Sequence, residues 1–145
     1  MPILNYTTKI NANKTLSELT QILAEHGANK IVVDYKDGMP VEITFRLFHL
    51  DRPIYFALPC NWEGVLKVMK TQKGVEKRFC NKEQAIRTSW RIIKVWVEAQ
   101  MSMIDAELVS AVQVFLPYAI TKNGSTLYNL LDSENQLTNA LISNE

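Results

Sequence analysis

The chain has little of what specialised chemistry needs. Two cysteines and two histidines occur in 145 residues. Cys60 and Cys80 lie too far apart for a C-x-x-C unit and read as reduced thiols, which excludes a disulfide scaffold. A zinc site would have to use His26, His49, Cys60 and Cys80 together, at spacings that match no known zinc knuckle. No metal and no cofactor are therefore expected. Five glycines and five prolines leave no low-complexity tract, and no internal repeat is visible. No apolar run approaches the roughly 18–20 residues of a membrane span. The start, MPILNYTTKI, lacks the basic and apolar regions of a signal peptide, so a cytoplasmic protein is expected.

Catalytic motifs are missing as well. There is no G-x-G-x-x-G, no H-E-x-x-H and no G-x-S-x-G. The stretch TKNGST at 121–126 has the letters of a phosphate-binding loop in the wrong spacing. His26 falls at a helix end and His49 near a hairpin tip, a poor acid–base set. Nothing nominates a nucleophile, and a non-catalytic role is expected.

What the chain does have is a long central helix. NKEQAIRTSWRIIKVWVEAQMSMI, 81–104, runs without glycine or proline behind a good N-cap, Asn81, with Gln84 at the capping-box position and Glu83 in the first turn. Ile86, Trp90, Ile93, Val97, Met101 and Ile104 form one apolar stripe; Ile92, Trp96, Ala99 and Met103 form a second beside it. So apolar a helix needs cover on more than one side, from the rest of the fold, a second subunit or both, and a second copy packed against it, giving a homodimer or higher oligomer, is expected. Its third face carries Arg87, Arg91, Lys94 and Glu98, which reads either as an anion-binding ridge or as a solvated face with one Lys94–Glu98 pair.

Before that helix, Leu4, Tyr6, Thr8 and Ile10 alternate as a first strand would. Thr15, with Glu18 three residues on, predicts the start of a helix that ends at His26 and Gly27. Strands are predicted at Ile31, Val33 and Tyr35, at Val41 through Leu47, and at Ile54 through Leu58, with a tight Asp37-Gly38 hairpin turn between the first two. Asn61 caps a helix to about Lys70. After the central helix, which continues or breaks near Asp105 and resumes to Phe115, Pro117 stops the run. Ser125 or Thr126 caps a last helix with Leu127, Leu130, Leu131, Leu137 and Leu141, and 143–145 are expected to fray.

The order β-α-β-β-β-α-α-α argues for one α+β domain. A three- or four-stranded, mostly antiparallel sheet with one helix on it spans 1–59, and a helical half spans 60–145. The segment 15–70 has the α-β-β-β-α order of a double-stranded-RNA-binding domain. It has Asn61-Trp62-Glu63-Gly64 where that module carries its basic helix start.

The net charge is +1, but the charges are unevenly spread. Lysines and arginines crowd the segment 67–94 with only Glu76 and Glu83 against them. Beyond Lys94 the sole basic residue is Lys122. A polarised surface of this kind suits a phosphate-bearing partner at one pole, and equally suits pairing with the chain's own acidic part, within the chain or across a dimer. Lys73, Lys77, Arg78, Arg87, Arg91 and Lys94 are the candidate contacts, and Trp62 and Trp96 the candidate stacking platforms.

Four stretches, NYTTKI (5–10), LPCNWEGV (58–65), WRIIKVWVEAQ (90–100) and VFLPY (114–118), resemble a group of small proteins of bacteriophages and integrated elements of Gram-positive bacteria. The likeness runs to about Tyr128. It implies a genomic setting, with the host cell's cytoplasm as location, and brings no catalytic residue. In that setting two roles are expected. One is a binding protein that counters host defence, by occluding a nucleic-acid-binding protein or capturing a phosphorylated nucleotide signal. The other is a DNA- or RNA-binding accessory protein for replication or recombination.

Overall fold

Residues 1–142 are described by the computed structural model, so the expected fraying of 143–145 lies outside the described residues. The clean alternation around Ile43, Phe45 and Leu47 makes β2 (Met39–His49) the centre of an antiparallel sheet. Its neighbours are β1 (Ile31–Lys36) and β3 (Arg52–Pro59). Asp37 and Gly38 both take positive φ (52° and 76°), giving the tight turn expected of that dipeptide. The β2–β3 turn does the same with Asp51 (62°), which tolerates that region, and Leu50 (50°), which does not favour it.

Four-residue periodicity puts α1 (Ala12–Glu25) and α3 (Lys82–Asp105) on one face of the sheet. Leu16, Leu19 and Leu23 meet Ile43, Phe45 and Leu47 there, all buried. Trp90 is fully buried and donates its indole N–H to the Pro40 carbonyl at 3.2 Å, so the largest core side chain leaves no orphan donor. α2 (Trp62–Thr71) packs on α3 as well, with Asn61 as its N-cap.

The central helix breaks where a break was one of two expectations. Glu107 turns left-handed (φ 59°), and the Leu108 and Glu107 N–H groups return to the carbonyls of Met103 and Ile104. That is a Schellman closure with glutamate at the position that favours glycine. The chain resumes as α4 (Ala111–Phe115) under a full capping box between Ser110 and Gln113, then makes a 3-10 turn at Leu116–Tyr118. Ile120 N–H donates to the Tyr55 carbonyl at 2.8 Å, so this segment covers the β3 edge. The tail forms α5 (Leu127–Ser133), capped by Thr126, and α6 (Gln136–Leu141), split by Asn135 at φ 57°.

Three expectations need correction. The alternating segment 4–10 is not a strand, and the sheet has three strands. The Asn5 and Thr8 backbones close a turn, while the carbonyls of Tyr6 and Thr8 accept from Gln84 Nε2 at 2.8 and 2.9 Å. The apolar residues alternate, but the backbone is satisfied by a helix side chain rather than by a neighbouring strand. Second, α1 begins at Asn11, whose side chain accepts from the Asn13 N–H at 2.8 Å. Thr15 is buried inside the helix instead of capping it. Third, the last helix is two short ones. The order of elements is therefore α-β-β-β-α-α-α-α-α.

Candidate functional site

The expected anion ridge on α3 does not face solvent. α1 lies along that side of α3 and brings Glu18 onto the row. Arg91 Nη1 sits 2.6 Å from Glu18 Oε2, and Lys94 Nζ bridges Glu18 at 3.4 Å and Glu98 at 2.7 Å. The Arg91 and Lys94 side chains are only 15% and 16% exposed. Hydrogen bonding to Arg91 first, then the charges of Lys94 and Arg91, holds the Glu18 carboxyl below its ordinary range against the effect of burial. Arg87 forks onto Gln84 Oε1 at 3.0 and 2.8 Å, the side chain that holds the N-terminal segment. Arg91 and Lys94 fasten α3 to α1, while Arg87 braces Gln84 on its own helix. Helical spacing aligned the three and supplied Gln84 and Glu98; tertiary packing supplied Glu18.

Trp96 is also used inside the fold. Its ring lies edge-on to Phe115 at 5.6 Å and to Tyr118 at 5.8 Å, so the second apolar stripe of α3 is partly covered by α4 and the turn after it. Ala99 and Met103, further along that stripe, remain exposed.

Trp62 has different surroundings. It opens α2 half-buried, and Lys82 Nζ stands 4.9 Å from its ring centre. Two recesses meet at this indole. One, of about 330 Å³, is an open trough lined by Trp62, Glu63, Leu66, Lys67, Lys70 and Thr71. The other, of about 110 Å³, is lined by Lys36, Asp37, Met39, Val41, Trp62, Glu63 and Lys82. The turn of α2 that aligns Trp62, Leu66 and Lys70 also places Lys67 beside them. Lys36 arrives from the end of β1, and Lys82 from the first turn of α3. Four exposed lysines thus line the two recesses that share Trp62, with Lys67 and Lys70 in one, Lys36 and Lys82 in the other, and Glu63 the acid common to both.

Lys73, Lys77 and Arg78 are exposed on the connection that follows α2. Arg78 pairs with Glu76 at 2.9 Å and covers the Phe79 ring at 4.7 Å. The connection is held to α2 by the Cys80 thiol, 3.3 Å from the Met69 carbonyl, and to the N-terminal segment by Tyr6, whose ring meets Phe79 at 5.6 Å. Of the eight residues singled out from sequence, Trp62, Lys73, Lys77 and Arg78 stay accessible. Arg87, Arg91, Lys94 and Trp96 are engaged within the fold. Lys67, Lys70 and Lys82 lay in the basic segment but were not singled out. Lys36 carries no signal in the sequence, since only the hairpin brings it to Trp62.

Among the described residues no group of three or more His, Cys, Asp or Glu side chains is placed to hold a metal ion. Cys60 is buried, its thiol pushed up to about 11 by desolvation, which makes it a poor nucleophile. Among the described residues no helix is long and apolar enough to cross a membrane. Comparison with family models, curated proteins and solved structures yields no match, so the reading of the Trp62 site rests on its own geometry.

Proposed function

We propose that this chain is a non-catalytic binding protein that holds a phosphate-bearing strand, single-stranded DNA or RNA, at the corner formed by Trp62, Lys36, Lys67, Lys70 and Lys82. The observation that carries the reading is the convergence of four exposed lysines on a half-buried indole. An aromatic face accepts any base, and flanking cations follow the backbone; together they bind a strand without reading its sequence. Lys73, Lys77 and Arg78 extend the basic surface beyond α2. In a phage or mobile element, the setting that the resemblance implies, such a protein serves replication or recombination.

Capture of a phosphorylated nucleotide, as a counter to host defence, is the second reading. The 330 Å³ trough falls within the size range of small-ligand sites, and that favours it. The trough is open along α2, which suits a strand that passes through better than a ligand that must be enclosed.

Fluorescence anisotropy with labelled oligonucleotides and, separately, free nucleoside phosphates tests the proposal. The expected result is oligonucleotide binding that weakens about 5- to 150-fold in Trp62→Ala, since base–aromatic stacking is worth ~1–3 kcal/mol. Lys67→Glu with Lys70→Glu should weaken it further, and Glu63→Gln should strengthen it. Absence of oligonucleotide binding at low salt, or equal binding by the Trp62 and lysine variants, sinks the reading. Tight binding of a free nucleotide alone would select the second one.

A further inference from the structure

The face of the sheet turned away from α1 and α3 carries a charge pattern that matches itself. From the strand register, three rows cross it. Lys30, Arg46 and Tyr55 form the first, Val32, Thr44 and Ala57 the second, and Asp34, Glu42 and Pro59 the third. Apolar groups stand open on this face: Val32 is 53% exposed, Phe48 52% and Tyr55 36%. Arg46 lies over the rings of Phe48 and Tyr55 at 5.2 and 5.9 Å, its Nε–H donating to Asn29 Oδ1 at 3.0 Å. Among the described residues none of Lys30, Asp34, Glu42 and Arg46 enters an ion pair. Asp34 stands directly opposite Glu42, an arrangement that costs stability in an isolated sheet.

We propose that this face binds a second copy of the chain through a two-fold axis that runs across the strands along the Val32–Thr44–Ala57 row. That operation lays each β-strand over its own counterpart, reversed. The first row of one copy then faces the third row of the other. Arg46 meets Glu42 of the partner copy, Lys30 meets its Asp34, and Tyr55 meets its Pro59. Arg46 and Glu42 are each two residues from Thr44, and Lys30 and Asp34 are each two from Val32, so both ion pairs form in one register. Ala57 is only 5% exposed, so β1 and β2 carry the central contact; the small side chain of Thr44 lets the centre close there, and facing sheets about 10 Å apart are within reach of Arg and Glu side chains. Burial, with Asp34 opposite, already holds the Glu42 carboxyl above its ordinary range; a partner's guanidinium offsets that cost. The same carboxylates repel phosphate, which argues against a nucleic acid on this face. Three strands make a small interface, so dissociation in the micromolar range is expected.

Sedimentation velocity across the micromolar range tests the proposal by charge exchange. Wild type should move from monomer to dimer as concentration rises. Arg46→Glu and Glu42→Arg should each weaken the dimer about 100-fold or more, because each change turns two attractive pairs into two repulsive ones. An equimolar mixture of the two variants, or the double variant E42R/R46E, should dimerise as wild type does. Circular dichroism and thermal melts establish that each single variant is folded; one that is not is replaced by Arg46→Gln or Glu42→Gln. A wild type that stays monomeric throughout overturns the proposal, as do single variants that still dimerise, a mixture that fails to, or loss of oligonucleotide binding as the sole effect of R46E.

Discussion

Replacing Glu18 by Gln tests the account of the α1–α3 seam. The substitution keeps shape and one hydrogen bond to Arg91 but leaves two neighbouring cations, 15% and 16% exposed, without their shared anion. An exposed pair is worth at most ~1 kcal/mol, and breaking a buried one costs ~3–5 kcal/mol. The Glu18 side chain is 34% exposed and Lys94 retains Glu98, so solvent screening brings the expected loss down to ~2 kcal/mol. In a domain of this size that lowers Tm by about 4–8 °C. The pH dependence gives a sharper reading. Because Arg91 holds the Glu18 carboxyl below its ordinary 4.5, the carboxylate's contribution is present above that value and disappears as pH falls through the folded-state pKa. Urea denaturation of wild type and E18Q should differ by the full amount at pH 7 and converge in acid. A difference below ~0.3 kcal/mol at neutral pH, or one that persists unchanged in acid, refutes the claim that these cations are structural.

Further outcomes follow from the same geometry. Glu107→Gly should stabilise the fold by about 1 kcal/mol in denaturant titration, since position 107 is left-handed (φ 59°) and closes α3. His26 has Nδ1 2.8 Å from the Ile22 carbonyl and Nε2 3.0 Å from Asp105, two acceptors that only the imidazolium satisfies with two donors. Asp105 first, and then that carbonyl, raise its pKa above the ordinary 6.5, so its contribution is full below 6.5 and is lost as pH rises through the folded value. NMR titration of His26 should show the elevation, and Asp105→Asn should reduce it. In native protein a thiol reagent should label the half-buried Cys80 and spare Cys60 until denaturant is added.

The sequence made much of this fold legible, and the limits are physical. Local signals placed the Asp37-Gly38 turn, the Asn61 and Asn81 caps and the Gly27 helix end, because each depends on a few adjacent residues. The strand expected at 4–10 failed because alternation reports a buried face, and the face here is a wrapped segment held by Gln84. Glu18 looked like a capping residue because sequence cannot see α3 lying beside it. The same blindness hid Glu18 from Arg91 and Lys94, although the i,i+4 pair of Lys94 with Glu98 was legible, and hid Lys36 from the indole it borders.

The most direct measurement is the salt dependence of oligonucleotide affinity for wild type and for the Lys36, Lys67, Lys70 and Lys82 variants. If these four lysines neutralise phosphates, the plot of log affinity against log salt should have a slope of about −3 for wild type, flattening by about 0.7 for each lysine removed. Substitution of Arg87, at the seam, should leave it unchanged. A flat wild-type plot, or a slope indifferent to the four lysines, contradicts the account.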